Sequence, residues 1–98
     1  MKIQILPSAM EDLRRGYRFY ESQERGLGDY FQDSLFSDID SLLLFAGIHR
    51  VIDGYHRSFS KRFPYAIYYK MKESSEVLVF RILDMRQNHQ QTLKDLNP

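Results

Sequence analysis

The chain is 98 residues long, 43% hydrophobic and 14% aromatic, which is enough for one compact core and too little for a second domain. It has no cysteine, which excludes disulfides and thiol catalysis, and its 14 basic and 13 acidic residues nearly cancel, which argues against a general nucleic-acid glue. The charge is nevertheless polarised: residues 1–49 carry −3 and residues 50–98 carry +4, a balance that favours an anionic partner, either a polynucleotide or an acidic protein segment.

Lys2–Leu6 alternates polar and apolar side chains and stops at Pro7, which predicts a short strand. Ser8 offers an N-cap, with Glu11 three residues on to complete a capping box. Met10, Leu13, Tyr17 and Tyr20 then trace one face of a helix, leaving Arg14, Arg15 and Arg18 off the stripe. Gly26-Leu27-Gly28 ends that helix, and Asp29 is placed to cap a second. Phe31, Leu35, Ile39, Leu42 and Ala46 recur at helical spacing, Leu43 and Phe45 widen the stripe, and Gly47 closes it.

Two helices joined by a short glycine loop need a sheet to cover their apolar stripe. Strands are predicted around Gly54–Phe59, over Tyr65–Met71 and over Val77–Leu83, with Pro64 at a turn and Glu73–Glu76 as the polar turn of the last hairpin. Gln87–Leu96 has modest helical character. The expected fold is α+β, in the order β-α-α-β-β-β with room for a short C-terminal helix. A helical hairpin packs on a small twisted antiparallel sheet, the helices on one face and the basic residues on the other face or its rim. Residues 1–98 form one domain on this reading. Lys2–Pro7 is too short and interrupted for a signal-peptide core, and no apolar run reaches membrane-spanning length, so the expectation is a cytoplasmic protein with no membrane contact.

Basic residues enter and leave the strand region, and between Gly54 and Lys72 five cations face no acid in sequence. Arg57 shares a strand side with Tyr55 and Phe59 by alternation, which suits either a phosphate or carboxylate clamp or an arginine packed on aromatics. Lys61 and Arg62 fall in a turn. Arg81 interrupts an apolar strand and calls for an acidic partner on a neighbouring strand or helix. Arg86, just past that strand, is the better functional candidate. His56 and His89 titrate in the range useful for acid–base work, whereas His49 is placed to complement a helix dipole. Alternation puts Tyr65, Ile67 and Tyr69 on one face and Ala66 and Tyr68 on the other, so much of this aromatic content is packing. No metal-ligand spacing, phosphate-cradling glycine loop or serine–histidine–acid pattern is present, and no cofactor is implied.

The order of elements and several local patterns resemble the RelE/ParE superfamily of type II toxin–antitoxin toxins, closer to the ParE-like branch. The resemblance spans nearly the whole chain. It rests on Ala9–Leu13 opening the first helix and Gly26–Phe31 opening the second. It rests further on Arg57 ahead of Phe63-Pro64-Tyr65-Ala66-Ile67-Tyr68-Tyr69, the most specific piece, and on Val77–Leu83 leading to Arg86. It implies a toxin of the plasmid-stabilisation kind that inhibits bacterial growth and is neutralised by a cognate antitoxin.

Two target classes follow from the resemblance. ParE-like members bind and inhibit DNA gyrase without a recognised catalytic site. RelE-like members cleave mRNA on the ribosome with a spread of basic residues, needing no metal. Tyr65 stands where RelE-type toxins carry a strand arginine, and Gln87, Asn88 and His89 stand where ParE-like relatives commonly continue with arginine, an acid and proline. The leading expectation is therefore a gyrase-binding toxin that is not an enzyme, with Arg57, Lys61, Arg62 and Arg86 as binding residues. The alternatives are an mRNA endonuclease built from Arg57, Lys61, Arg62, Tyr65, Arg86 and His89, and an inactive member that binds only its antitoxin.

Overall fold

The computed structural model describes residues 1–87 and 89–96. Its elements run β1 (Lys2–Ile5), α1 (Pro7–Gln23), α2 (Leu27–Asp40), a single turn α3 (Leu42–Phe45), β2 (Val51–Ile52), β3 (Tyr55–Phe59), β4 (Tyr65–Lys72), β5 (Glu76–Asp84) and α4 (Gln90–Leu96). One five-stranded sheet in the order β1-β5-β4-β3-β2 carries the helical hairpin on one face, as the periodicities predict.

The sheet is mixed and not purely antiparallel. β2 to β5 pair antiparallel, but β1 pairs β5 in parallel, Lys2 opposite Glu76 and Ile5 opposite Val79. Parallel neighbours need a long crossover, and here almost the whole chain provides it. The edge strand β2 has no counterpart in the predicted elements. Its signal is Asp53-Gly54, both at positive φ (52° and 87°), which make a two-residue turn between Ile52 and Tyr55.

The helix starts also differ from the capping pattern. α1 begins at Pro7 with Leu6 as its N-cap, so Ser8 caps nothing: proline presets the helical φ, and the N–H it lacks is one that has no partner within the helix in any case. α2 begins at Leu27, which makes Asp29 a first-turn acid and not its cap. Gly26, in the left-handed region at φ 89°, turns the chain between the two helices. Glu21 reaches across from α1 and accepts the Gly26 and Gly28 amides at 2.9–3.1 Å, doing the work assigned to Asp29.

The hairpin buries Ala9, Leu13, Phe31, Leu35, Ile39 and Leu42 against Tyr65, Ile67, Tyr69, Val77, Val79 and Ile82. Gly16 lets α1 and the Phe31 ring meet. Tyr20, Phe31, Phe63 and Tyr65 form an aromatic cluster with neighbouring centroids 4.8–5.1 Å apart. Leu43 and Phe45 do not widen this stripe but stand about half exposed, because α2 breaks at Ser41 and the turn α3 re-aims them.

β5 keeps its parity with help from a bulge. Tyr68 pairs with Arg81 but Tyr69 with Val79, so Phe80 is an extra residue, and Val77, Val79 and Ile82 can all face the helices. The opposite face is more apolar than expected. Tyr55, Ala66, Tyr68 and Leu83 form a second small core closed by Leu93 of α4, while the Lys70 ammonium sits 4.6 Å from the Tyr55 ring centroid.

Candidate functional site

Polar chemistry gathers in three places: a hollow between α1 and β5, a chain of contacts under α4, and a second hollow beside β3. The first, about 440 Å³, is lined by Asp12, Arg15, Phe19, Tyr65, Arg81 and Arg86 among others. At its floor the buried Asp12 carboxylate accepts Arg81 Nε at 2.7 Å, Arg81 Nη2 at 2.8 Å and the Ile82 amide at 2.9 Å. Arg81 thus meets its acid on α1, and the pair ties helix to sheet. Arg86, exposed at the rim, closes a fork on Asp84, with Nε donating to Oδ1 at 2.9 Å. That bond holds the Asp84 carboxyl below its ordinary range although burial opposes it. Burial pushes the Tyr65 hydroxyl up to about 12, with Tyr20 and Asp84 adding to the rise and Arg86 opposing it. Tyr65 therefore stays protonated at neutral pH and is a poor general base.

Under α4, the Tyr68 hydroxyl meets His89 Nδ1 at 2.6 Å, and His89 Nε2 meets the Asp84 carbonyl. A carbonyl can only accept, so Nε2 carries the proton in the neutral ring and Nδ1 accepts from the tyrosine. Both nitrogens of His89 are therefore engaged. Burial raises the Tyr68 hydroxyl, and the Arg57 guanidinium beside it pulls the other way. Arg57 also lies 4.8 Å from the Phe59 ring centroid, and its Nε is buried with no partner among the described residues.

The second hollow, about 500 Å³, is lined by Asp38, Phe45, Arg50, Arg57, Phe59 and Lys61 among others. Asp38, buried on α2, accepts the Ser60 hydroxyl at 2.6 Å and the Lys61 amide at 3.3 Å, fixing the turn that leads to Pro64. His49 does not serve a helix end. The Tyr69 hydroxyl accepts the Gly47 amide at 2.9 Å and the His49 backbone amide, which fills both of its lone pairs, so its own proton goes to His49 Nδ1. Burial first, then His56, lower the His49 pKa from its ordinary value.

The six residues named from sequence are thus divided. Tyr65 and Arg86 share the first hollow, Arg57 and Lys61 the second, His89 sits under α4, and Arg62 is exposed on the β3–β4 turn and lines neither hollow. Among the described residues no three His, Asp or Glu side chains are grouped to hold a metal ion. No helix among the described residues is long and apolar enough to cross a membrane.

A family model described as the ParE toxin of the type II toxin–antitoxin system parDE matches residues 3–89. The chain belongs to the ParE toxin family. No curated protein matches it by sequence. Among solved structures it is similar to a chain of the chromosomal ParDE toxin–antitoxin system from P. aeruginosa, with a TM-score of 0.69 at 17% identity, covering 84% of this chain and 92% of that one.

For a ParE-family chain, several residues that organise these sites carried no local signal. Asp12 reads as an ordinary helix-surface acid, and its partner Arg81 is 69 positions away. Tyr68 reads as core, yet it joins Arg57 to His89. Arg50 did have a signal, since it opens the basic half of the chain, but its pairing with Arg57 depended on a strand with no predicted counterpart. Asn88, within the departure at Gln87–His89, lies outside the described residues, as do Asn97 and Pro98.

Proposed function

We propose that this ParE-family toxin inhibits growth by binding DNA gyrase in the cytoplasm, breaks no bond itself, and is neutralised by a cognate antitoxin that engages its basic residues. One observation carries the preference for binding over cleavage: the candidate catalytic residues are divided, with Tyr65 and Arg86 in one hollow and Arg57 and Lys61 in another. Cleavage through the 2′-hydroxyl needs a base, an acid and cations around one phosphate. Tyr65 is held protonated by burial, both His89 nitrogens are engaged, and Arg57 lines a different hollow from Arg86. Lys61, Arg62 and Arg86, all exposed, and the half-buried Arg57 still offer cations to an acidic protein surface.

A second reading, ribosome-dependent mRNA cleavage, draws on the first hollow alone, where Tyr65 sits among Arg15, Arg81 and Arg86. Induced expression of the chain alone, with protein synthesis and plasmid supercoiling followed over minutes, separates the two. Gyrase binding gives lost supercoiling, a DNA-damage response and intact mRNA, and persists in Tyr65→Phe. A prompt halt of translation with codon-periodic cuts, abolished by Tyr65→Phe or Arg86→Ala, overturns the binding reading. A folded product with no growth defect marks a member that only binds antitoxin.

A further inference from the structure

Where α2 ends, the chain exposes a run of large apolar side chains. Of the turn α3 only Leu42 enters the core, while Leu43 (48%), Leu44 (82%) and Phe45 (49%) stand in solvent. Ile48 follows at 75% exposed. Its placement is built and not a loose end. Gly47 turns the chain at φ 94°, and Gly47 and His49 on either side are both tied to the Tyr69 hydroxyl, which holds Ile48 outward. Adjacent large apolar groups that the chain itself leaves uncovered mark a surface for another molecule.

Charge says what that molecule is like. Residues 26–48 hold four aspartates and no Lys or Arg, the reverse of the basic stretch from Gly54 to Lys72. Asp38 is the buried one, turned to the β3–β4 connection through Ser60 and the Lys61 amide. Asp29, Asp33 and Asp40 are exposed, and spacings of four and seven put them on one side of α2, leading to Leu44. Asp29 accepts the Tyr17 hydroxyl at 3.0 Å and keeps its charge. Among the described residues, no ion pair reaches these three carboxylates. An acidic partner would be repelled here, and a wholly apolar one would desolvate carboxylates without a counter-charge. A second copy meeting this face about a two-fold axis would set the aspartates against their own kind.

We infer that the α2–α3 face is the toxin's target-facing surface, and that it takes a segment of the target bearing both cations and apolar side chains. The apolar groups cover Leu44 and Ile48, and the cations meet Asp33 and Asp40. The assignment of this occupant rests on the gyrase reading above: an enzyme that works on DNA carries cationic surface for its phosphates, which suits the aspartates. The face is distinct from the cations that reading gives to the antitoxin. Phe45, which also lines the second hollow, marks the border between the two.

The test uses the full chain, labelled with ¹⁵N, and synthetic amphipathic peptides of leucine with lysine, leucine with glutamate, and serine with lysine. The expected result is amide shifts at Asp33, Asp40, Leu44 and Ile48 with the first peptide, and roughly tenfold weaker binding of the other two. Asp33→Lys with Asp40→Lys, and Leu44→Ser with Ile48→Ser, change only exposed positions. Each pair is expected to lose roughly tenfold in peptide affinity and in inhibition of supercoiling by purified gyrase, with circular dichroism unchanged. Absence of shifts on this face, or unweakened peptide binding by either pair, overturns the proposal. So does a wild-type chain that inhibits gyrase no better than both pairs, a result that leaves the gyrase reading standing. A wild-type chain without effect on gyrase refutes that reading and the occupant with it, while the peptide shifts still decide whether the face takes a basic, apolar segment. Concentration-dependent association of the chain alone, abolished by Leu44→Ser with Ile48→Ser, gives the face to a second copy and also overturns the proposal.

Discussion

Asp12→Ala should be among the most damaging single changes in the chain. The carboxylate is 5% exposed and accepts three hydrogen bonds, two from Arg81 and one from the Ile82 amide. Its removal leaves a cation whose side chain is 21% exposed without its partner, and a strand amide without an acceptor. Breaking a buried ion pair from one side costs about 3–5 kcal/mol, and Arg81 can regain some water, so the low end applies: about 3 kcal/mol including the orphaned amide. For a domain of this size that corresponds to a fall in Tm of about 15 °C. Urea unfolding followed by circular dichroism should show a lower midpoint at an unchanged slope. Arg81→Met in the Asp12→Ala background removes the stranded charge and should restore at least half of the loss. A cost for Asp12→Ala below about 1 kcal/mol, the level of an exposed pair, refutes the reasoning, as does a double variant less stable than Asp12→Ala alone.

Gly16→Ala should destabilise the helical hairpin by about 2 kcal/mol, since a Cβ there would stand 2.5 Å from the buried Phe31 ring; Gly16→Ala with Phe31→Leu, compared with Phe31→Leu alone in thermal unfolding, should cost less. Glu21→Ala should cost about 1 kcal/mol through loss of the α2 cap, with hydrogen exchange fastest at Gly26 and Gly28. The His49 contribution to stability should be complete above the ordinary histidine pKa of about 6.5 and fade as pH drops toward its lowered folded value, because the unfolded chain binds the proton more readily there. Urea unfolding at pH 7.5 and pH 5 should show that His49→Gln flattens this dependence; an unchanged slope contradicts the burial of an unprotonated His49 beside His56.

Helix existence, strand existence and the inward faces were legible in the chain because each depends on local spacing. Phe31, Leu35, Ile39 and Leu42 fall on one side of any helix through them, and Tyr65, Ile67 and Tyr69 on one side of any strand, whatever lies beyond. The ParE-like character was legible too, through Arg57 and the Phe63–Tyr69 strand that follows it. Local spacing carries no information on which distant element supplies the cover or the counter-charge. The parallel seating of β1 on β5, the bond from Asp12 to Arg81 and the joining of Arg57 to His89 through Tyr68 all link segments far apart in sequence. Each was decided only when the helical hairpin closed over the sheet and α4 closed the second face. The same closure divided the candidate site, because side chains that alternate along a strand are separated by the sheet itself, however near they stand in sequence.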